Sequence, residues 1–237
     1  MKRKNCIICS HDVRAVVDPK FKIDYYFCPH CEFLFMDEAA IVSPEREKAE
    51  YSTHQNTLDN EGYVNMFREF IKKAVTPFQT NPGQTGKRTA LDFGSGPGDC
   101  VLAHVLREER GYAVDIYDVY FAPEKVYTDK IYNLITCTEV LEHLKNPVET
   151  LRLLKQHLKP GGILALMTLF HPITEDNPGG EEMFQQWWYC RDVTHICFFR
   201  PKTLRFMARL LEMELLMIDD RNTVSFKLAT KARRHEG

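Results

Sequence analysis

Leu91-Asp92-Phe93-Gly94-Ser95-Gly96-Pro97-Gly98 decides the fold. A short apolar run carrying one acid stops at three glycines in alternate positions, and an apolar-periodic segment, Asp99 to Arg110, follows at once. The pattern predicts a strand, a tight turn and a helix. Glycine permits positive φ and has no Cβ, so a ligand can lie against the backbone of such a turn. The spacing is not the G-x-G-x-x-G of dinucleotide binders, and no Lys-Ser/Thr follows as in a P-loop. The turn suits a ligand without phosphates.

Moving outward toward the C-terminus, the helix carries Val101, Leu102, Val105 and Leu106 and stops at Gly111. Tyr112 to Tyr117 reads as the next strand, with Asp118 at its end, 20 residues past Gly98. In an α/β sheet the end of the neighbouring strand lies beside the turn, and a carboxylate there can bind both hydroxyls of a ribose. Asp118 is preferred to Asp115, which points to the opposite face of the strand. Turn and acid together predict a nucleoside ligand. Only Phe121-Ala122-Pro123-Glu124 separates Asp118 from a short strand expected near Lys125 to Thr128. Tyr132 to Thr138 is a buried strand. Asn146-Pro147 opens a helix with Val148, Leu151, Leu154 and Leu158 on one face, and Lys159-Pro160-Gly161-Gly162 ends it before a strand from Ile163 to Leu169. Met213 to Asp220 and Val224 to Lys231 can form a closing hairpin. The alternation predicts an α/β, doubly wound, mostly parallel sheet.

Toward the N-terminus, Asn81-Pro82-Gly83-Gln84-Thr85-Gly86 is a loop that marks a boundary. Three regions are expected: a small module over residues 1–40, a helical lid or linker over 41–87, and the main domain over 88–237 with an insertion at 170–200 above the active site. In the linker, Ser43-Pro44-Glu45 starts one helix, and Tyr63, Met66, Phe67, Phe70, Ile71, Ala74 and Val75 give a second its apolar face. Between them, Tyr51-Ser52-Thr53-His54-Gln55-Asn56 is read as a lid over the ligand site in preference to a plain connecting loop. In the first region, Cys6-x-x-Cys9 and Cys28-x-x-Cys31 are separated by 18 residues. Each pair aims two thiolates at one point, and four thiolates give a closed, structural zinc site. Without an apolar signal core at the N-terminus, zinc is preferred to two disulfides. The other four of the eight cysteines are scattered singly and read as small core residues.

Hydrophobic residues are 44% and charged residues 27%, with a net charge of −2. This balance gives no global reason to expect nucleic acid or an anionic membrane as partner. The basic clusters Lys2-Arg3-Lys4 and Lys231 to Arg234 read as solvated tails. The longest apolar run, Ile163 to Phe170, is too short to span a bilayer. A cytoplasmic location is the default expectation.

The order and spacing of Leu91–Gly98, the acid ending the second strand, Glu139-Val-Leu-Glu142-His143-Leu with Asn146-Pro147 after it, and Leu158-Lys-Pro-Gly-Gly-Ile163 resemble the class I S-adenosylmethionine-dependent methyltransferases. The resemblance covers roughly residues 89 to 230. The leading cysteine pairs and the Tyr51 to Asn56 segment are similar to a bacterial subgroup with an N-terminal zinc-ribbon-like module. The family implies a Rossmann-like seven-stranded sheet with an antiparallel last strand, S-adenosylmethionine as co-substrate and a structural zinc. It also implies that Gly94, Gly96 and Gly98 meet the methionine part of that molecule, that Asp92 lies near its amine, that Asp118 holds its ribose, and that Thr138 and Glu139 border the sulfonium. Tyr51 is expected to close over the cofactor. The stretch after Asp118 lacks the family's usual acid, so Phe121 or Tyr127 is expected to stack on the adenine.

A hydroxyl or amine acceptor must lose a proton, and His143, His171 and His195 are the candidate bases, with His195 preferred and Glu139 beside them. Glu139, Glu142, His143 and His195 are similar to a set that holds a divalent metal in some RNA 3′-end methyltransferases. Many small-molecule methyltransferases carry Glu-Val-Leu-Glu-His without any metal, and a metal-free reading is preferred. Trp187-Trp188-Tyr189 can form an aromatic wall for a planar substrate or can simply pack the insertion down. The expected activity is methyl transfer to an O, N or C nucleophile of a small molecule. The alternatives are an RNA-modifying enzyme whose zinc module contacts nucleic acid, and a cofactor-binding regulator without catalysis.

Overall fold

The computed structural model describes residues 4–79, 87–177 and 179–229. The Asn81 to Gly86 loop, Lys2-Arg3 and Lys231 to Arg234 lie outside the described residues. The elements in chain order are β1 (Arg14–Asp18), β2 (Ile23–Phe27), β3 (Leu34–Met36), α1 (Pro44–Tyr51), α2 (Glu61–Ala74), β4 (Thr89–Phe93), α3 (Val101–Glu108), β5 (Ala113–Tyr117), β6 (Tyr132–Thr138), α4 (Pro147–Gln156), β7 (Leu158–Met167), α5 (Gly180–Gln186), β8 (Cys197–Phe198), α6 (Pro201–Leu210), β9 (Met213–Ile218) and β10 (Thr223–Leu228).

The main sheet has the order β5-β4-β6-β7-β10-β9. Strands β4 to β7 pair in parallel. The last strand, β10, runs antiparallel to both its neighbours. Side-chain alternation explains why helices cover both faces. Ala90, Leu134, Ile163 and Ala165 face α2 and α3, whose Val64, Phe67, Phe70, Ile71, Val101, Leu102, Val105 and Leu106 pack on them. Leu91, Ile135, Leu164 and Leu166 point the other way, onto Leu151, Leu154, Leu204 and Met207 of α4 and α6. Each such fully buried aliphatic side chain contributes about 1.5–3 kcal/mol.

The main sheet has six strands among the described residues, against the seven expected. Residues 119–131 form turns, and the strand expected near Lys125 to Thr128 is absent. A parallel neighbour needs a crossover of about a dozen residues. The chain after β5 instead folds back on itself at once, through an isolated bridge between Asp118 and Ala122.

The N-terminal strands form a second sheet of order β1-β2-β3-β8. Its fourth strand comes from the segment after β7: Leu34 and Phe35 pair with Phe198 and Cys197. Val16, Tyr25, Phe27 and Leu34 share a core with Phe184, Tyr189, Ile196 and Phe198. No described helix is long and apolar enough to cross a membrane.

Candidate active site

The C-terminal ends of β4, β5 and β6 open onto a cavity of about 660 Å³. Asp92, Gly94, Gly96, Asp118, Thr138 and Glu139 line its sheet side. Tyr51, His143 and His195 close it from above. Gly98 does not line it: the Asn56 carbonyl covers it so closely that a Cβ there would sit 2.5 Å from that oxygen. Gly94 has φ +83°, and a Cβ on it would lie 2.1 Å from Val140 Cγ2. Both positions therefore require glycine, one for the lid and one for the wall after β6.

The turn's amides are committed to β5. Gly94 N–H and Ser95 N–H donate to the Tyr117 carbonyl at 2.7 and 3.1 Å. Gly96 N–H donates to Asp118 Oδ2 at 3.0 Å. Asp118 Oδ1 accepts from Tyr120 N–H at 2.8 Å and Phe121 N–H at 3.0 Å. The acid thus joins the glycine turn to the loop after β5 while lining the cavity, and what the turn offers a ligand comes from its other atoms. Asp115, the rejected acid, pairs instead with Lys130 and Tyr132 outside the cavity.

Asp92 is buried at the floor, where Thr136 Oγ1 donates to it at 2.9 Å. Burial pushes its carboxyl up to about 6, opposed by that hydrogen bond and by Arg107. Phe121 reaches the cavity. Tyr127 does not; it packs in the core against Phe93, Tyr117 and His157.

Glu139 begins the turn after β6 with φ +51°, a conformation that L side chains rarely adopt. Leu141–His143 is then one 3₁₀ turn. The Tyr189 hydroxyl donates to Glu142 Oε1 and lies 3.0 Å from Glu139 Oε2. One phenolic proton cannot serve two carboxylates. Burial and the neighbouring Glu142 push the Glu139 carboxyl well above the usual range.

His143 and His195 stand together, ring centroids 4.7 Å apart. His143 Nδ1 lies 3.0 Å from the Thr194 carbonyl, and His195 Nδ1 lies 2.7 Å from the Tyr189 carbonyl. A carbonyl can only accept, so each Nδ1 carries the proton and each Nε2 keeps its lone pair. Burial holds His195 below the usual imidazole value. His171, the third candidate base, is remote from the cavity. Its Nε2 bonds the Glu32 carbonyl and its Nδ1 accepts from Ile173 N–H, with burial lowering it to about 3. It fastens the cysteine module to the main domain.

The two tryptophans divide. Trp187 packs against Phe184, Tyr189 and Phe198, whereas Trp188 is 69% exposed at the cavity mouth. The sequence did not point to Glu47. Its two carboxylate oxygens accept from Tyr51 and Tyr120 at 2.7 and 2.8 Å, tying α1 to the loop after β5. The available signal was its place four residues before Tyr51 on one helix face.

Cys6, Cys9, Cys28 and Cys31 converge, with their sulfurs all within 4.8 Å of one another. The Cys6–Cys31 and Cys9–Cys28 sulfurs are 3.6 and 3.4 Å apart. A tetrahedral ion with metal–sulfur bonds of about 2.3 Å sets sulfurs roughly 3.8 Å apart. Burial raises the Cys9 thiol to about 12, and the hydrogen bond with Cys6 together with burial raises Cys31, while the same hydrogen bond lowers Cys6 to about 5.

A family model described as a methyltransferase domain matches residues 63–215, more than half of the chain. The ubiquinone biosynthesis O-methyltransferase of Rickettsia prowazekii (strain Madrid E) is 39% identical over 156 residues, covering 55% of this chain and 61% of that protein. That of Saccharophagus degradans is 31% identical over 81 residues, 34% of each chain. The chain spans about a third of the length of the first curated relatives it matches. Among solved structures, an O-methyltransferase family 2 protein from Planctomyces limnophilus in complex with apigenin superposes with a TM-score of 0.53 at 13% identity, over 78% of this chain and 62% of that one, which is a likeness of fold. By its matched residues and by its sheet, the chain belongs to the methyltransferase domain family.

Proposed function

We propose that this protein transfers a methyl group from S-adenosylmethionine to a hydroxyl oxygen of a small aromatic molecule. One observation carries the reading: a single cavity has a buried acid, a glycine turn and Asp118 at one end, and two imidazoles with bare Nε2 atoms and a tryptophan edge at the other. The O-methyltransferase names of the relatives favour oxygen as the acceptor atom.

The sulfonium supplies an electrophilic methyl group. The chain's own residues then bind, orient and exclude water, and such positioning can supply much of the rate. On this reading Asp92 faces the amine, Gly94 and Gly96 leave room for the methionine chain, Asp118 takes the ribose hydroxyls and Phe121 stacks on the adenine. Thr138 and Glu139 border the sulfonium. His195 accepts the acceptor's proton at Nε2, with His143 alongside. Tyr51, clamped through Glu47, covers the site. The four cysteines hold a structural zinc ion that supplies no chemistry to the reaction.

Calorimetry with S-adenosylmethionine tests the base of the proposal: micromolar binding is expected, weakened at least tenfold in Asp118→Ala. No binding, or binding indifferent to that change, sinks it. Methyl-transfer assays with pools of phenolic metabolites and of RNA test the acceptor. Transfer confined to the RNA pool overturns the small-molecule reading.

A further inference from the structure

Five carboxylates and one lysine line the cavity, with no arginine beside them. Four of the acids are already engaged. Asp92 accepts from the Thr136 hydroxyl at the floor. Asp118 is filled by the amides of Gly96, Tyr120 and Phe121. Glu47 accepts from Tyr51 with one oxygen and from Tyr120 with the other. Glu139 lies against the Tyr189 hydroxyl. Asp192 differs from all four. Its Oδ1 accepts from Thr194 N–H at 2.9 Å and from Thr194 Oγ1 at 2.6 Å, which fixes the plane of the carboxylate. Its Oδ2 has no hydrogen bond among the described residues and stands 3.7 Å from His195 Nε2, beyond hydrogen-bond reach. The Tyr189 carbonyl holds the His195 proton at Nδ1, so Nε2 is a lone pair. Two acceptors thus share one wall of the cavity, 3.7 Å apart, with no proton between them.

No lysine or arginine pairs with Asp192 among the described residues, and its side chain is only 25% exposed. Burial works against its charge, yet the Thr194 hydroxyl and the imidazoles of His195 and His143 hold its carboxyl below the ordinary value. A part-buried carboxylate that stays ionised without a cation is a standing attraction for one. The neighbouring wall is aromatic. Trp188 meets Tyr189 edge-on at 5.4 Å and otherwise stands largely exposed at the mouth, and an aromatic face attracts a cation. Lys145, the one cation of the lining, is solvent-exposed, where water and salt screen its charge.

We infer that Asp192 sets the acceptor's charge: the cavity takes an aromatic hydroxyl compound that carries a protonated amine, and Asp192 Oδ2 receives that ammonium group. The inference rests on the methyl-transfer reading above for which end of the cavity holds the acceptor. The ammonium donates to Oδ2 and leaves His195 Nε2 for the hydroxyl. The two contacts together orient the ring, because each accepts a different group of the same molecule. An acceptor with a carboxylate in place of the amine meets repulsion from the same oxygen. A neutral one leaves Asp192 unpaired. A charge-assisted hydrogen bond of this kind is worth roughly a tenfold difference in affinity or more.

Three probes of nearly one shape and different charge test it: tyramine, a cation; 4-ethylphenol, neutral; and 4-hydroxyphenylacetate, an anion. Each is titrated by calorimetry into the full-length protein, with and without S-adenosylhomocysteine. Wild type should bind tyramine at least about tenfold tighter than 4-ethylphenol, and 4-hydroxyphenylacetate weakest of the three. Asp192→Asn keeps an Oδ1 acceptor for Thr194 and removes the charge. It should bring tyramine down to the level of 4-ethylphenol, while the affinities for 4-ethylphenol and S-adenosylhomocysteine stay as in wild type. Should that variant melt at markedly lower temperature, salt serves in its place: in wild type the tyramine advantage should shrink as ionic strength rises, and 4-ethylphenol should not respond. Equal binding of tyramine and 4-ethylphenol overturns the inference, and so does a tyramine advantage that survives Asp192→Asn. Preference for the anion overturns it in favour of Lys145, and failure of all three probes overturns the phenolic-amine class. Binding of S-adenosylhomocysteine keeps the two claims apart: its absence alongside an Asp192-dependent tyramine preference sinks the functional reading alone, and its presence with a flat ranking sinks the role of Asp192 alone.

Discussion

Asp92 shows what one buried acid does to the pH behaviour of the molecule. Its carboxyl is pushed from 3.8 to about 6 by burial. A folded-state pKa above the unfolded one means that stability is fully present below about 4 and is lost as pH rises through about 6. Two units correspond to about 3 kcal/mol. Urea unfolding of the ligand-free protein should therefore show wild type losing about 2–3 kcal/mol relative to Asp92→Asn between pH 4 and pH 7. Parallel stability curves would contradict the assignment. The same charge turns favourable once an ammonium group faces it. On the reading proposed above, S-adenosylmethionine affinity should rise as pH climbs from 5 to 7 and should be flat in Asp92→Asn, read by calorimetry. Gly94 makes a second residue-scale case. Alanine there meets both the φ of +83° and Val140 Cγ2 at 2.1 Å. Gly94→Ala should cost about 2–4 kcal/mol. Gly94→Ala/Val140→Ala should recover the steric share only, because the backbone strain remains.

At the scale of elements, legibility followed locality. The glycine turn, Asp118 and the strands on either side were readable because strand period, turn chemistry and helix period all act within a few residues. What the sequence hid was set by partners distant in the chain. Tyr127 looked like an adenine platform and sits in the core, since the loop after β5 closes on itself at Asp118 and Ala122 instead of crossing over. His171 looked like a base and is buried between a carbonyl and an amide. Strand β8 is two residues long, and only its pairing with β3 makes it a strand. The clamp on α1 is another such case. Glu47 joins Tyr51 on its own helix to Tyr120, 73 residues away in the chain. Tyr120→Phe removes one donor to that carboxylate, worth about 1 kcal/mol at a partly exposed site. We expect cofactor affinity to fall about fivefold with thermal stability nearly unchanged. Unchanged affinity would mean that α1 is held over the cavity by other contacts.

Across the whole molecule, the cysteine module and the cavity wall are one mechanical unit. The second knuckle docks on the main domain through Thr203 Oγ1 donating to the Cys31 carbonyl at 2.9 Å, and through His171 at the Glu32 carbonyl. Strand β3, directly after that knuckle, carries β8 on its edge. Met36 N–H donates to the Ile196 carbonyl, and Ile196 N–H in turn reaches the Glu142 carbonyl. A chain of backbone bonds thus runs from the four cysteines to the turn that bears His143. Small modules of this kind draw their folding free energy from the metal. Cys28→Ser should therefore loosen β8 and the Tyr189–His195 segment along with β1 to β3, while β4, β6 and β7 hold. Hydrogen exchange followed by mass spectrometry should show protection lost in peptides spanning 184–199 and retained in those spanning 132–138 and 163–167. Full protection of 184–199 in Cys28→Ser would show that the wall stands on its own packing and that the module is merely attached to it.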